Sequence, residues 1–189
     1  LVETDQVTLG RTLYGLARTL ERSGKFEMSV RTFERLLSLN PNHADALNYL
    51  GYMFAEKGVR LGEAASFIQR ALETDPNNGA YLDSLGWIFY QSGNYRRAQG
   101  YLRRALDQEE AELSKLVEGE TARRKAMKKN LAVIYDHAGD CALELNQFDT
   151  ARKHWERALE YNPNIDNTEN KLTKLNRNHR PRAEENVAP

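Results

Sequence analysis

Leu82-Asp83-Ser84-Leu85-Gly86-Trp87-Ile88-Phe89-Tyr90-Gln91-Ser92-Gly93-Asn94-Tyr95-Arg96-Arg97-Ala98 carries the pattern that decides the fold. A Leu-Gly pair sits inside an apolar helical stretch, a Ser-Gly-Asn break follows, and an aromatic residue and an alanine open a second stretch. The same order occurs upstream at Leu50-Gly51, Gly58 and Ala64, and Ala71 and Ala105 mark equivalent places in the second stretches. Gly24, Gly58 and Gly93 recur at intervals of 34 and 35 residues. Self-similarity at that period describes stacked helical hairpins, each too small to bury its apolar face alone.

Four units align, at about 10–43, 44–78, 79–110 and 132–164. The first holds Leu13, Leu16, Ala17, Gly24, Phe26, Phe33, Leu36 and Pro41; the second Leu47, Leu50, Gly51, Phe54, Gly58, Ala64, Ile68, Ala71 and Pro76. The fourth holds Tyr135, Ala138, Gly139, Ala142, Asn146, Phe148, Ala151, Trp155, Ala158 and Pro163. Glycine inside a helix costs roughly 1 kcal/mol against alanine, so Gly51, Gly86 and Gly139 mark places where a neighbouring helix crosses too closely for a side chain. Proline after the second helix stops it, and Asn or Asp before the proline suits the extended bend.

These residues are similar to the tetratricopeptide signature over 10–164 apart from one insertion. The resemblance implies an all-α, right-handed solenoid of four helix–turn–helix units, a non-catalytic scaffold for protein–protein interaction. Ala80-Tyr81-Leu82-Asp83-Ser84-Leu85-Gly86-Trp87 further resembles arrays common in bacterial proteins, including envelope lipoproteins. That likeness implies a bacterial source and leans to the envelope over the cytoplasm.

In this family the first helix of each unit, helix A, lines a concave face that takes an extended peptide or a partner helix. The resemblance places Arg11, Tyr14 and Arg18 there from unit one, Asp45, Asn48, Tyr52 and Glu56 from unit two, Asp83, Trp87, Tyr90 and Gln91 from unit three, and Asp136, Asp140 and Glu144 from unit four. Such a groove is basic at its start, aromatic in the middle and acidic at its end. The alternative for the rings is packing on an adjacent helix A. The subfamily that clamps a chaperone's terminal carboxylate with lysines and asparagines is not matched, because Tyr14, Arg18, Tyr52, Ala80 and Ser84 stand at its positions and only Asn48 is of the right type.

Between units three and four the period lengthens: Gly86 to Gly139 and Ala105 to Ala158 are each 53 residues. The insertion, about 111–131, reads as two lengthened helices meeting at a tip, with Gly119 as a helix C-cap and Thr121 as an N-cap. Arg123, Arg124, Lys125, Lys128 and Lys129 form a basic run there, facing Asp107, Glu109, Glu110, Glu112 and Glu118. Cross-hairpin ion pairs account for both clusters; the competing readings are a docking spur for a partner and a site for an anionic polymer.

Composition limits the remaining classes. The 27 Lys and Arg balance the 27 Asp and Glu, which argues against nucleic acid as the main ligand. Cys141 is the single cysteine, so no disulfide framework or multi-cysteine zinc site can form within the chain. His137 and Cys141 are four residues apart with Asp140 beside them, but two ligands on one helix do not complete a zinc site. No acid–base constellation, phosphate-binding loop or dinucleotide motif is present, so no cofactor, metal or enzymatic activity is expected. No apolar run is long enough for a transmembrane segment. The chain starts at Leu1 without an initiator methionine and reads as a fragment or a mature form. A capping helix is expected at about 166–176, with a disordered tail at about 179–189 and fraying through Thr4. Against the leading function, an adaptor binding a peptide or protein, stand a self-assembling homo-oligomer and a regulatory module cut from a larger protein.

Overall fold

The computed structural model describes residues 2–179, with side chains described from Gln6 onward. The expected disordered tail falls outside the described residues except for His179. Those residues form nine α-helices and no strand. By its contacts the chain divides into two compact units, Leu1–Ser92 and Gly93–Pro189. The boundary lies inside the third repeat, between its two helices.

The first unit contains α1 (Val2–Arg22), α2 (Phe26–Leu39), α3 (Ala44–Lys57), α4 (Leu61–Thr74) and α5 (Gly79–Gln91). Helix α1 is already formed at Val2, where fraying through Thr4 was expected. Helix α1 pairs with α2 and α3 with α4, while α5 packs on both α3 and α4. Phe33, Leu36, Leu47, Leu50, Phe54 and Ile68 are fully buried between them. The crossing of α3 and α4 is close at Gly51: a Cβ there would lie 2.8 Å from Ile68 Cδ1 and 3.1 Å from the Ala64 carbonyl oxygen. Each second helix ends in an extended residue before proline, Asn40 at ψ 86° and Asp75 at ψ 87°, as the clash with the proline ring requires. The next first helix is capped by the His43 or Asn78 side chain accepting from a backbone N–H three residues on.

The second unit contains α6 (Tyr95–Ser114), α7 (Thr121–Glu144), α8 (Phe148–Tyr161) and α9 (Thr168–Asn178). Helix α7 packs on α6 and α8, and α8 packs on α9. Trp155 is buried against Ala142, Ala151 and Leu175, with Leu143, Phe148 and Leu172 around that cluster. Between α7 and α8, Asn146 takes the left-handed conformation (φ 58°) that Gly24, Gly58 and Gly93 take elsewhere, in keeping with asparagine's tolerance of it.

The insertion lengthens α6 to 20 residues and α7 to 24, against 14 in α2, α4 and α8. Its tip differs from the expectation. Helix α6 stops at Ser114 with Lys115 as C-cap, and Glu120 rather than Thr121 occupies the N-cap of α7. Gly119 (φ 102°) lies in the turn between them. Charged side chains close this turn in place of a threonine hydroxyl. The Glu120 carboxylate accepts from the Val117 N–H at 3.0 Å, and Arg124 donates to the Leu116 carbonyl at 2.7 Å. The ion pairs at the tip are also local: Lys115–Glu112 at 2.5 Å and Arg123–Glu120 at 3.2 Å, each within one helical turn. Among the described residues Lys125 and Lys129 have no carboxylate within ion-pair distance, so cross-hairpin pairing does not account for the basic run.

Candidate peptide-binding face

In the first unit, side chains of α1, α3 and α5 bridge from one first helix to the next. Tyr14 stacks on His43 at 5.6 Å and meets Phe33 and Tyr49 edge-on at 5.9 and 6.3 Å. The Arg18 guanidinium stands 5.6 Å from the Tyr14 ring and 5.7 Å from the Tyr49 ring, a placement that favours the cation electrostatically. The Tyr49 hydroxyl donates to Glu21 at 3.0 Å, and the Tyr81 hydroxyl donates to Asp45 at 2.6 Å. Burial raises the pKa of both phenols, and the accepting carboxylates add to it.

Asn48 and Tyr52 lie one turn apart on α3, both half-buried. Burial holds the Tyr52 phenol well above its ordinary value, with Glu56 and Asp83 contributing. On α5, Trp87 and Tyr90 stack on each other at 4.7 Å and 6°, both half-buried, while Asp83 is buried. Arg11 is exposed beside a cavity of about 370 Å³ that also takes in Val7, Leu9, Leu39 and His43. Two polar atoms stand out: Asn48 Oδ1 and Arg18 Nε are buried with no hydrogen-bond partner among the described residues. Such atoms cost about 1–3 kcal/mol each when left so. Tyr49 was missed by the sequence reading. It follows Asn48 directly and falls off the column of groove positions, yet its ring holds Arg18 in place.

Asp136 and Asp140, expected at the acidic end of an open groove, are instead engaged within the second unit. The Lys171 ammonium of α9 sits 2.7 Å from a carboxylate oxygen of each. Thr168 donates to Asp136 at 2.6 Å, and the Trp155 indole donates to Asp140 at 3.2 Å. The capping helix therefore spends these carboxylates on the chain itself. Nearby, Arg152 is buried and donates to Asn176 and to the His179 carbonyl at 2.8 Å. The Cys141 thiol donates to the Tyr95 carbonyl at 3.1 Å, and burial pushes its pKa up to about 11. That keeps it a thiol at neutral pH, the opposite of an activated nucleophile. In the basic run, Arg123 and Arg124 are tied to the tip, Lys128 lies 5.9 Å from the Tyr161 ring, and Lys125 and Lys129 are exposed.

Helical hairpins of this length, with a small residue at each crossing and a proline stop, define an all-α repeat solenoid. The chain is a tetratricopeptide-repeat protein: family models for the tetratricopeptide repeat match residues 14–79, 81–116 and 132–165. No curated protein matches it. Among solved structures, it resembles PilF of Pseudomonas aeruginosa with a TM-score of 0.71 and 18 % identity, covering 93 % of this chain and 71 % of that one. It also resembles the APC/C hetero-tetramer Cut9–Hcn1, with a TM-score of 0.75 and 16 % identity over 91 % of this chain but only 31 % of that one. A third likeness is the first tetratricopeptide domain of Spaghetti (RPAP3) bound to the HSP90 peptide SRMEEVD, with a TM-score of 0.55 and 19 % identity over 71 % of this chain and 91 % of that one. At such identities these neighbours establish the fold. No helix of the described residues is long and apolar enough to cross a membrane.

Proposed function

We propose that this chain is a non-catalytic scaffold that holds an extended peptide or a partner helix against α1, α3 and α5. The observation that carries the reading is Asn48 Oδ1, a buried acceptor on a first helix with no partner. A rotation of the Asn48 side chain would turn this oxygen out to a backbone N–H of an extended ligand, and the carboxamide also offers two donors of its own. Arg18, fixed between the Tyr14 and Tyr49 rings, offers a cation one helix away. Tyr52 and the stacked Trp87 and Tyr90 supply rigid rings of the kind that anchor interfaces. The RPAP3 domain, solved with a peptide, lends support from the same fold. The acidic end of that peptide would find no lysine–asparagine clamp here, so the ligand of this chain differs.

Peptides selected from a random display library against the wild-type chain test the reading. Their affinities are then measured by calorimetry for Asn48→Ala and Trp87→Ala. Each substitution is expected to weaken binding about tenfold, equivalent to about 1.4 kcal/mol. Asn48→Ala should leave unfolding stability unchanged or higher, because it removes an unpartnered buried acceptor. Equal affinity in all three proteins would remove this face from consideration. A second reading, self-assembly through the N-terminal helices, rests on a separate observation: Val7, Leu9, Met28 and Leu39 of α1 and α2 are exposed.

A further inference from the structure

In the second unit a groove of about 500 Å³ runs between α6 and α8, away from the side chains considered so far. Leu106 and Ala138 are buried at its floor, and Thr150 and His154 of α8 form one wall. The α6 wall presents Arg96, Gly100 and Arg103. The two arginines are seven residues apart, so they share one helix face about 10.5 Å from each other along the axis. Both are exposed, and among the described residues neither has a carboxylate within ion-pair distance. None of the side chains lining the groove is acidic. At one end, Gln99 donates to Gln147 at 2.6 Å and closes the space between the helices.

Gly100 leaves room in the α6 wall, as Gly15 and Gly62 do on α1 and α4. At Gly51 and Gly139 a Cβ would collide with a packed neighbour, so the fold itself needs glycine there. At Gly100 a Cβ would meet nothing within 4 Å, although the residue lies inside a 20-residue helix. Glycine in that setting costs about 1 kcal/mol relative to alanine with no return from internal packing. A helix laid along the groove from outside would need the space.

We infer that the α6–α8 groove is a second interaction site, for a partner helix carrying two carboxylates two turns apart. The carboxylates pair with Arg96 and Arg103 as forked, charge-assisted hydrogen bonds. Between them, a small apolar face of the partner passes over Gly100 and covers Leu106 and Ala138. The site shares no residue with the face of α1, α3 and α5.

The test uses a fluorescein-labelled, alanine-based helical peptide of about 18 residues, long enough to hold helix in water. It carries Glu at two positions seven apart with leucine between; a control carries Lys at both. Fluorescence anisotropy should show saturable binding of the Glu peptide to the whole chain and none of the Lys peptide. Arg96→Ala and Arg103→Ala should each weaken it about tenfold, Gly100→Leu should abolish it, and Trp87→Ala should leave it unchanged. Circular dichroism establishes that Gly100→Leu is folded. Should it not be, the paired variant Arg96→Glu with Arg103→Glu decides, and it should reject the Glu peptide and accept the Lys peptide. Absence of saturable binding, equal binding of both peptides, or full affinity in folded Gly100→Leu would overturn the inference.

Discussion

Gly139 sits under the indole of Trp155, and a Cβ built on it would fall well inside contact with the ring atoms Cδ1 and Nε1. The indole is fully buried and has nowhere to move. At Gly51 the nearest atom is the terminal Cδ1 of Ile68, the far end of a flexible side chain, although the Ala64 carbonyl oxygen is close behind it. Gly100 faces open space. The three glycines should therefore respond differently to alanine. Overpacking costs about 1–3 kcal/mol and the gain in helix propensity returns about 1. Gly139→Ala should lose about 2 kcal/mol, Gly51→Ala about 1 or less, and Gly100→Ala should gain about 0.5–1. Urea unfolding of the three variants gives the order, and a Gly139→Ala protein as stable as wild type would contradict the close crossing.

Helix α9 is short, and its hold on the second unit combines Leu175 and Leu172 with polar contacts: Thr168 to Asp136, Arg152 to Asn176, and the ion pairs of Lys171 with Asp136 and Asp140. Burial works against the ammonium, but the two carboxylates outweigh it and raise its pKa above the ordinary 10.5. A raised lysine pKa contributes stability that is complete below the unfolded value and fades as pH climbs through the folded one. Lys171→Met leaves two part-buried carboxylates facing each other and should cost about 2 kcal/mol near neutral pH. The cost should shrink when wild type and variant are compared instead at a pH above 10.5, where wild-type Lys171 begins to give up its proton. Urea titrations at the two pH values measure it; a penalty that stays constant would mean that the contact is not ionic. The helix pair α7–α8 was legible in the sequence because Gly139, Ala151 and Trp155 repeat a spacing seen in the earlier units. The partners of Asp136 and Asp140 were not, because Lys171 lies more than 30 residues away on a helix that carries no repeat signature. The tip of the insertion was misread for a related reason: Glu120, Arg123 and Arg124 replace the hydroxyl cap that spacing alone suggests.

Over the whole molecule, the repeat order was readable because four units reinforce one another, whereas the state of the outer surfaces depends on what packs against them. The C-terminal helices end in a covered surface, with Leu175 buried on Trp155. At the N-terminal helices, Val7 is 52 % exposed, Leu9 39 %, Met28 54 % and Leu39 56 %. Val7, Leu9 and Leu39 surround one cavity with Gly10 and Leu36, so this is a patch rather than scattered residues. A second copy of the chain, offering the same patch, would bury the exposed half of Val7, Leu9 and Leu39 at about 1 kcal/mol each on either copy. Loss of translational and rotational freedom opposes this by about 4 kcal/mol or more, which leaves a weak association in the millimolar range. Light scattering across that concentration range should therefore show a mass that rises with concentration. Val7→Glu combined with Leu39→Glu should hold the chain at the monomer mass, because each carboxylate would have to be buried against its own copy. The same double variant should bind a peptide selected on α1, α3 and α5 as wild type does, which separates self-association from the peptide face. A wild-type mass that stays monomeric at every concentration would exclude the patch as a contact between copies.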